Sequence, residues 1–312
     1  MVFSFVRMTV IEVAKLQKRY GTQVAVEDVS FSVEAGQIFG IIGRNGAGKT
    51  TIVECVSGLR APDGGSLRVL GLDPRRDHEK LRRHVGVQLQ ESMLQDRITV
   101  AEALTLFASF YPNPARAEQL MDELGLTASA RKPYAKLSGG QKQRLSIALA
   151  LIGNPKVAIL DELTTGLDPQ ARRETWQLVS QVRDRGVTIL LVTHFMDEAD
   201  RLCDRIAVIH RGRVAAIDTP AGLTARAAIG QVLRFGTATS VDTVALKALE
   251  SVSTLEHDCA ELAVTGNGAV LTEVVAELAR QHLVPLNLRV EQPNLDDAFL
   301  TLTGESLTGE GK

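Results

Sequence analysis

The stretch Ile38-Phe39-Gly40-Ile41-Ile42-Gly43-Arg44-Asn45-Gly46-Ala47-Gly48-Lys49-Thr50-Thr51 decides the fold of this chain. Five apolar residues read as a buried strand and feed Gly43 to Thr50, which fits G-x-x-x-x-G-K-[ST]. A helix is expected from Lys49 to about Ser57, stopped by Gly58. Strand, loop and helix in that order are the context this pattern requires. The glycines let backbone amides wrap phosphates, Lys49 reaches the β and γ phosphates, and the Thr50 hydroxyl ligates Mg²⁺. A nucleoside triphosphate is the implied ligand.

Upstream, Val10 to Leu16 and Val29 to Val33 read as strands separated by the turn signals Tyr20-Gly21 and Ala35-Gly36, and Ser66 to Leu70 adds a short one. From Glu91 to Ile152 the texture changes to helical spacing over Val100 to Phe110, Arg116 to Leu124 and Gln141 to Ile152, an inserted helical lobe spanning about 91–155. Val157 to Leu160 and Val187 to Val192 then read as buried parallel strands. Between them Asp168 caps a helix with Pro169 at its first position, ending near Arg185 before Gly186. This alternation predicts a doubly wound sheet. A hairpin over Ile206 to Ile217 closes the first domain, at about residue 222. Beyond it the order βαββαβ predicts a small ferredoxin-like α+β domain over 223–312, followed by a helix capped by Asn294.

Three further segments carry chemistry. Asp161-Glu162 ends an apolar strand, at the edge where open α/β sheets bind ligands. Asp161 is suited to the magnesium shell, and Glu162, one residue beyond the strand, to accepting a proton from an attacking water. His194 closes the next strand on the same edge as Lys49 and Glu162. Leu137-Ser138-Gly139-Gly140-Gln141 is a second glycine-rich turn opening a helix, a place where unpaired amides and partial positive charge suit a phosphate. One nucleotide rarely needs two cradles. The second is therefore expected to serve a nucleotide bound by another copy of the chain.

Composition narrows the class. Among 312 residues, Lys plus Arg 35 against Asp plus Glu 37 gives a net charge of -2, so no basic excess points to nucleic acid. Cys55, Cys203 and Cys259 match no zinc spacing and fit reduced cytosolic thiols. Arg7 follows the apolar residues at the start, the wrong order for a secretory signal. No apolar run reaches the ~18 residues of a bilayer span. A transport role would need a separate membrane partner.

Taken together, the motifs over residues 20–219 resemble the ATP-binding subunit of an ABC transporter, in family order. Gly43 to Thr50 is similar to the Walker A loop, Gln90 to the Q-loop glutamine, and Leu137 to Gln141 to the signature. Val157 to Glu162 matches the Walker B strand, Gly166-Leu167-Asp168 the D-loop, and His194 the switch histidine; Tyr20 stands where the family stacks an aromatic on adenine. The resemblance implies a P-loop NTPase (RecA-like) core with a mixed sheet and an inserted helical lobe. It implies ATP and Mg²⁺ as ligands, with Tyr20, Gly43, Arg44, Asn45, Gly46, Ala47, Gly48, Lys49, Thr50, Thr51 and Asp168 at the nucleotide. Ser138, Gly139, Gly140 and Gln141 would act across a head-to-tail dimer. Glu162, His194 and Gln90 would serve hydrolysis, and Thr50, Gln90 and Asp161 the metal.

A multi-span membrane permease is the implied partner, placing the chain at the cytoplasmic face of the membrane, with Phe107, Phe110 and Tyr111 as candidate contacts. The family usually has proline after the paired acids. Leu163 stands there instead, which loosens the backbone without removing a reactive group. Pro293 to Gly304 is similar to the tail of bacterial drug and antibiotic exporter ATPases. An exporter ATPase is the leading expectation; an ATP-switched regulator without transport, and a nutrient importer ATPase, are the other two.

Overall fold

The computed structural model describes residues 8–88, 94–226, 230–258 and 261–304. The chain divides into two compact units, Met1–Pro220 and Ala221–Lys312.

The first unit runs β1 (Thr9–Tyr20), β2 (Gln23–Glu34), β3 (Ile38–Ile42), α1 (Lys49–Val56), β4 (Gly64–Val69), α2 (His78–Arg82), β5 (Val85–Gln88), α3 (Val100–Ala108), α4 (Ala117–Glu123), α5 (Gly139–Leu151), β6 (Val157–Asp161), α6 (Pro169–Asp184), β7 (Thr188–Thr193), α7 (Met196–Leu202), β8 (Arg205–His210) and β9 (Arg213–Asp218). Among the described residues its strands form one mixed sheet in the order β4-β1-β2-β9-β8-β3-β7-β6-β5. The run β8-β3-β7-β6-β5 is parallel, and the β1, β2 and β4 meander is antiparallel.

Composition explains the division. Every residue of β3, β6 and β7 is buried, the continuous apolar pattern of strands covered on both faces. β1 and β2 instead alternate buried and exposed positions, as strands with one wet face do. Register then fixes function: Ile42 pairs with Thr193, and Asp161 with Val192. The C-terminal ends of β3, β6 and β7 are thus level to within about one residue.

The helical lobe, α3 to α5, hangs from β5 and β6. Thr99 and Glu102 form a capping box on α3, and Ser138 and Gln141 form one on α5. The strand β5 was not expected from the sequence, because it is four residues long and interrupted by Gly86. That glycine lets the strand lie against α5: a Cβ there would stand 1.9 Å from Ala150 O. The short helices α2 and α7 are too brief to show a period in the sequence.

The second unit follows α8 (Pro220–Arg226), which straddles the boundary. It contains β10 (Gln231–Gly236), α9 (Thr243–Lys247), β11 (Val252–Asp258), β12 (Glu261–Gly266), α10 (Val270–Arg280), β13 (Leu286–Glu291) and α11 (Leu295–Thr303). Its sheet order is β11-β12-β10-β13 with every neighbouring pair antiparallel, the split βαβ topology. Leu233, Phe235, Leu246, Leu262, Val264, Val270, Val274 and Leu278 form its core. Asn294 and Asp297 cap α11, and Leu295 and Phe299 are buried.

Leu190, at the centre of β7, is fully buried in the core of the first unit. Leu190→Ala is expected to lower the stability of that unit by roughly 2–5 kcal/mol. The sole tryptophan, Trp176 on α6, makes urea unfolding of that unit visible by fluorescence; a loss below about 0.5 kcal/mol, the size of a surface change, would contradict this packing.

Candidate functional site

The phosphate loop leaves β3 and enters α1 through Gly48, whose φ of +105° is open to glycine and strained for other residues. A Cβ at Gly48 would also meet Ala25 O at 2.4 Å. No side chain caps α1. The contrast with α3, α5 and α6 is informative, because Thr99, Ser138 and Asp168 cap those starts with their own oxygens. An uncapped helix start presents amides and partial positive charge to an anion.

Lys49 is 5% exposed and folds back on its loop, donating to Gly43 O at 2.8 Å and Arg44 O at 3.1 Å. Burial pulls its ammonium below the ordinary lysine range, and the charges of Glu162 and Asp161 oppose that shift. A cleft of about 390 Å³ adjoins the loop, lined by Tyr20, Gln23, Ala25, Asn45, Gly46, Gly48, Lys49, Thr50, Thr51 and Glu162. Tyr20 is partly exposed at the end of β1, its hydroxyl 3.5 Å from Thr51 Oγ1. The Arg60 guanidinium lies 5.0 Å from its ring centroid, a cation–π arrangement. Gln23 and Ala25, at the start of β2, were missed in the sequence because nothing in their spacing links them to the loop.

Asp161 and Glu162 part company at the strand end. Asp161 is 1% exposed, and its backbone N–H donates to Gln88 Oε1 at 3.0 Å. Glu162 has φ +51°, a left-handed residue that breaks the alternation of the strand. Its N–H donates to Val192 O at 2.9 Å, which ties the turn to β7. Such a conformation costs about 1–3 kcal/mol, and residues of this kind gather at functional sites. Leu163, where the resembling family has proline, is fully buried. His194 Nδ1 lies 3.2 Å from Glu162 Oε1; with Glu162 ionised, the ring nitrogen is the donor.

The second cradle stands apart. Ser138 and Gly139 are exposed at the start of α5, and neither they nor Gly140 and Gln141 line the cleft. Gln141 is engaged within its own lobe: its Oε1 accepts from Ser138 N–H and from Lys132 Nζ, and its Nε2 donates to Ser129. Two of the amides that a helix start leaves open belong to Gly139 and Gly140. Asp168 accepts from the amides of Gln170 and Ala171, which holds its carboxylate below its ordinary range. Gln90 lies outside the described residues.

Asp161 Oδ2 is buried and has no hydrogen-bond partner among the described residues. A buried carboxylate oxygen with no hydrogen-bond partner among the described residues is a hard donor that suits a divalent cation, so Asp161 fits Mg²⁺. Without a cation, burial raises the Asp161 carboxyl from 3.8 to about 6, the Glu162 charge adds to the rise, and Lys49 opposes it. The folded chain then binds a proton that the unfolded chain has lost, and stability falls as pH rises from about 4 to about 6. Asp161→Asn in EDTA is expected to stabilise the first unit at pH 7 by up to ~3 kcal/mol and to give no gain near pH 4. Equal thermal midpoints for the two proteins at pH 7 would contradict the shift.

The family model described as ABC transporter matches residues 26–165. The chain is 33% identical to the linearmycin resistance ATP-binding protein LnrL of Bacillus subtilis, over 95% of this chain and 99% of that one. It is 37% identical to the Nod factor export ATP-binding protein I of Ralstonia nicotianae, over 96% and 95%. A solved structure of an ATP-binding subunit of an ABC transporter superposes with a TM-score of 0.63 at 32% identity, over 70% of this chain and 93% of that one. Relatives matched at a third identity or more along nearly their whole length give one assignment: this chain belongs to the ATP-binding proteins of the ABC transporter family, and is an ATPase.

Proposed function

We propose that this ATPase pairs head to tail with a second copy on ATP and drives a separate membrane permease that exports drugs, antibiotics or lipid-like molecules. The carrying observation is the split site. Lys49, Glu162 and Tyr20 line one cleft, whereas Ser138 and Gly139 stand exposed, and Gly140 partly exposed, outside it. A second copy that brings its own Ser138 turn over this cleft supplies the amides the first lacks.

In this reading the amides of Gly46 to Thr51 and the Lys49 ammonium hold the phosphates, and Tyr20 stacks on the base. Thr50, Asp161 and Gln90 would hold Mg²⁺, which neutralises charge on the transferring phosphoryl group. Glu162 takes the proton of the attacking water, and His194 fixes the Glu162 carboxylate through their hydrogen bond. Asp168, by capping α6, sets the loop between Glu162 and that helix.

Export is supported by relatives named for linearmycin resistance and Nod factor export, matched over lengths that reach past residue 220 into the tail. Among the described residues no helix is long and apolar enough to cross a membrane, which supports a separate permease and a peripheral place on the membrane's cytoplasmic face. The docking surface for that permease is a groove of about 800 Å³ between α2, β5 and the end of α3. Phe110, 64% exposed, and Tyr111 line it with His78, Arg82 and Arg83. Phe107 packs edge-on against Phe110 and does not line the groove. The second unit, on this reading, stabilises or regulates the dimer.

Glu162→Gln is expected to lower ATP turnover by at least about a hundredfold while ATP binding persists, and the full chain is expected to co-purify with a multi-span membrane protein. Undiminished turnover in the variant would overturn the mechanism. Persistent absence of a membrane partner would instead favour an ATP-switched regulator.

A further inference from the structure

Tyr20 lies among charged groups that the mechanism above leaves unused. The Arg60 guanidinium lies 5.0 Å from its ring centroid, and Lys18 Nζ lies 5.9 Å from it. The electron-rich face of an aromatic ring attracts a cation within this range. Tyr20 lines the nucleotide cleft, whereas neither Arg60 nor Lys18 does. The ring therefore stands between them, with the cleft on one side and the guanidinium on the other.

The guanidinium is itself held in place by α1. Arg60 Nε donates to Glu54 Oε2 at 2.5 Å and Arg60 Nη2 to Glu54 Oε1 at 3.4 Å, while the Arg60 N–H donates to Glu54 O at 3.0 Å. A forked pair of this kind fixes orientation as well as position. Thr51 precedes Glu54 by three residues, which places both on one side of α1, and its Oγ1 lies 3.5 Å from the Tyr20 hydroxyl. One helix thus meets the hydroxyl end of Tyr20 and, through Glu54, secures the cation on its ring. The end of β1 is tied to the same segment: the Asp63 N–H donates to Gln17 O at 2.8 Å, and the Asp63 carboxylate accepts from Arg19 N–H at 2.7 Å and from Lys18 Nζ at 2.8 Å. The contact between Tyr20 and Arg60 therefore joins two segments, 17–20 and 60–63, that are already fastened to each other.

We propose that Arg60 is a positioning residue for the base of the nucleotide. Anchored by Glu54, it holds the Tyr20 ring at the edge of the cleft, with the face toward the cleft left for the base to stack on. A ring ordered before the ligand arrives loses less freedom on binding. The phosphates are held by a separate loop, Gly43 to Thr50, so the effect of Arg60 falls on the base. The inference rests on the stacking role given above to Tyr20.

The test uses the purified full chain with Mg²⁺ and measures kcat, KM for ATP, inhibition by inorganic tripolyphosphate, and thermal midpoint. The variants are Arg60→Gln, Arg60→Lys, Tyr20→Ala and the Tyr20→Ala/Arg60→Gln pair. Arg60 is partly exposed, so Arg60→Gln is expected to fold. It is expected to raise KM by about threefold to tenfold, the range of a cation–π contact, with kcat and the tripolyphosphate inhibition constant at wild-type values. Arg60→Lys, which keeps a cation, is expected to recover most of the difference. Because Arg60 acts through the ring, its loss is expected to add nothing once the ring is gone, so Tyr20→Ala and the double variant share one KM. A wild-type KM in Arg60→Gln beside a raised KM in Tyr20→Ala overturns the role of Arg60 alone. An equal loss for tripolyphosphate overturns it too, because the change would then have reached the phosphate loop through α1. A wild-type KM in Tyr20→Ala removes the stacking role itself.

Discussion

The site depends on the level parallel ladder of β7 with β3 on one side and β6 on the other. Neighbouring strands stand ~4.8 Å apart, so three strands ending within about a residue of each other deliver their following loops to a patch ~10 Å wide. Ile42 opposite Thr193, and Asp161 opposite Val192, set that alignment. A slip of one residue would turn every side chain of these strands to the other face. Full burial of all three makes such a slip costly, and the same burial that stabilises the sheet therefore registers the phosphate loop, the paired acids and the histidine.

Helix starts divide the labour of the unit. Where the chain supplies its own oxygen, at Ser138 and Asp168, the start is closed in part and the loop before it is held in shape. At α1 no side chain caps the first turn, and Gly48 adopts a conformation available for the backbone to approach a ligand. On the proposed reading, the two kinds of start give one chain a complete phosphate cradle and a second, partly occupied one. On the proposed reading the second belongs to the neighbouring copy. The left-handed Glu162 and the fully buried Asp161 show the accompanying electrostatics: one carboxylate is turned out to the cleft, and the other is kept dry with an orphaned oxygen.

Much of this was legible in the sequence because the informative segments are punctuated. The phosphate loop carries its own glycines, α6 announces itself with Asp168-Pro169, and the strands of the ladder are unbroken apolar runs. In the tail, Gly266-Asn267-Gly268, Pro285 and Pro293-Asn294 mark the later boundaries, whereas no such signal stands between Lys247 and Val252 or between Asp258 and Glu261. What escaped depends on packing across distant segments. The strand β5 is too short, and Gly86 makes sense only against Ala150 O. Gln23 and Ala25 reach the cleft through sheet register. Glu198 and Gln88 look like ordinary polar residues until the fold buries them beside the ends of β6 and β7.

The central claim is that each hydrolytic site is built from the cleft of one copy and the Ser138 turn of another. Mixing two inactive full-length variants, Glu162→Gln and Ser138→Arg, tests it most directly. In a mixed pair one site joins the intact cleft of the Ser138→Arg copy to the intact Ser138 turn of the Glu162→Gln copy. Turnover is therefore expected to return on mixing and to peak near equal amounts of the two. Persistent inactivity at every ratio, despite exchange of copies shown by tagged pull-down, would place the Ser138 turn at the cleft of its own chain and contradict the account.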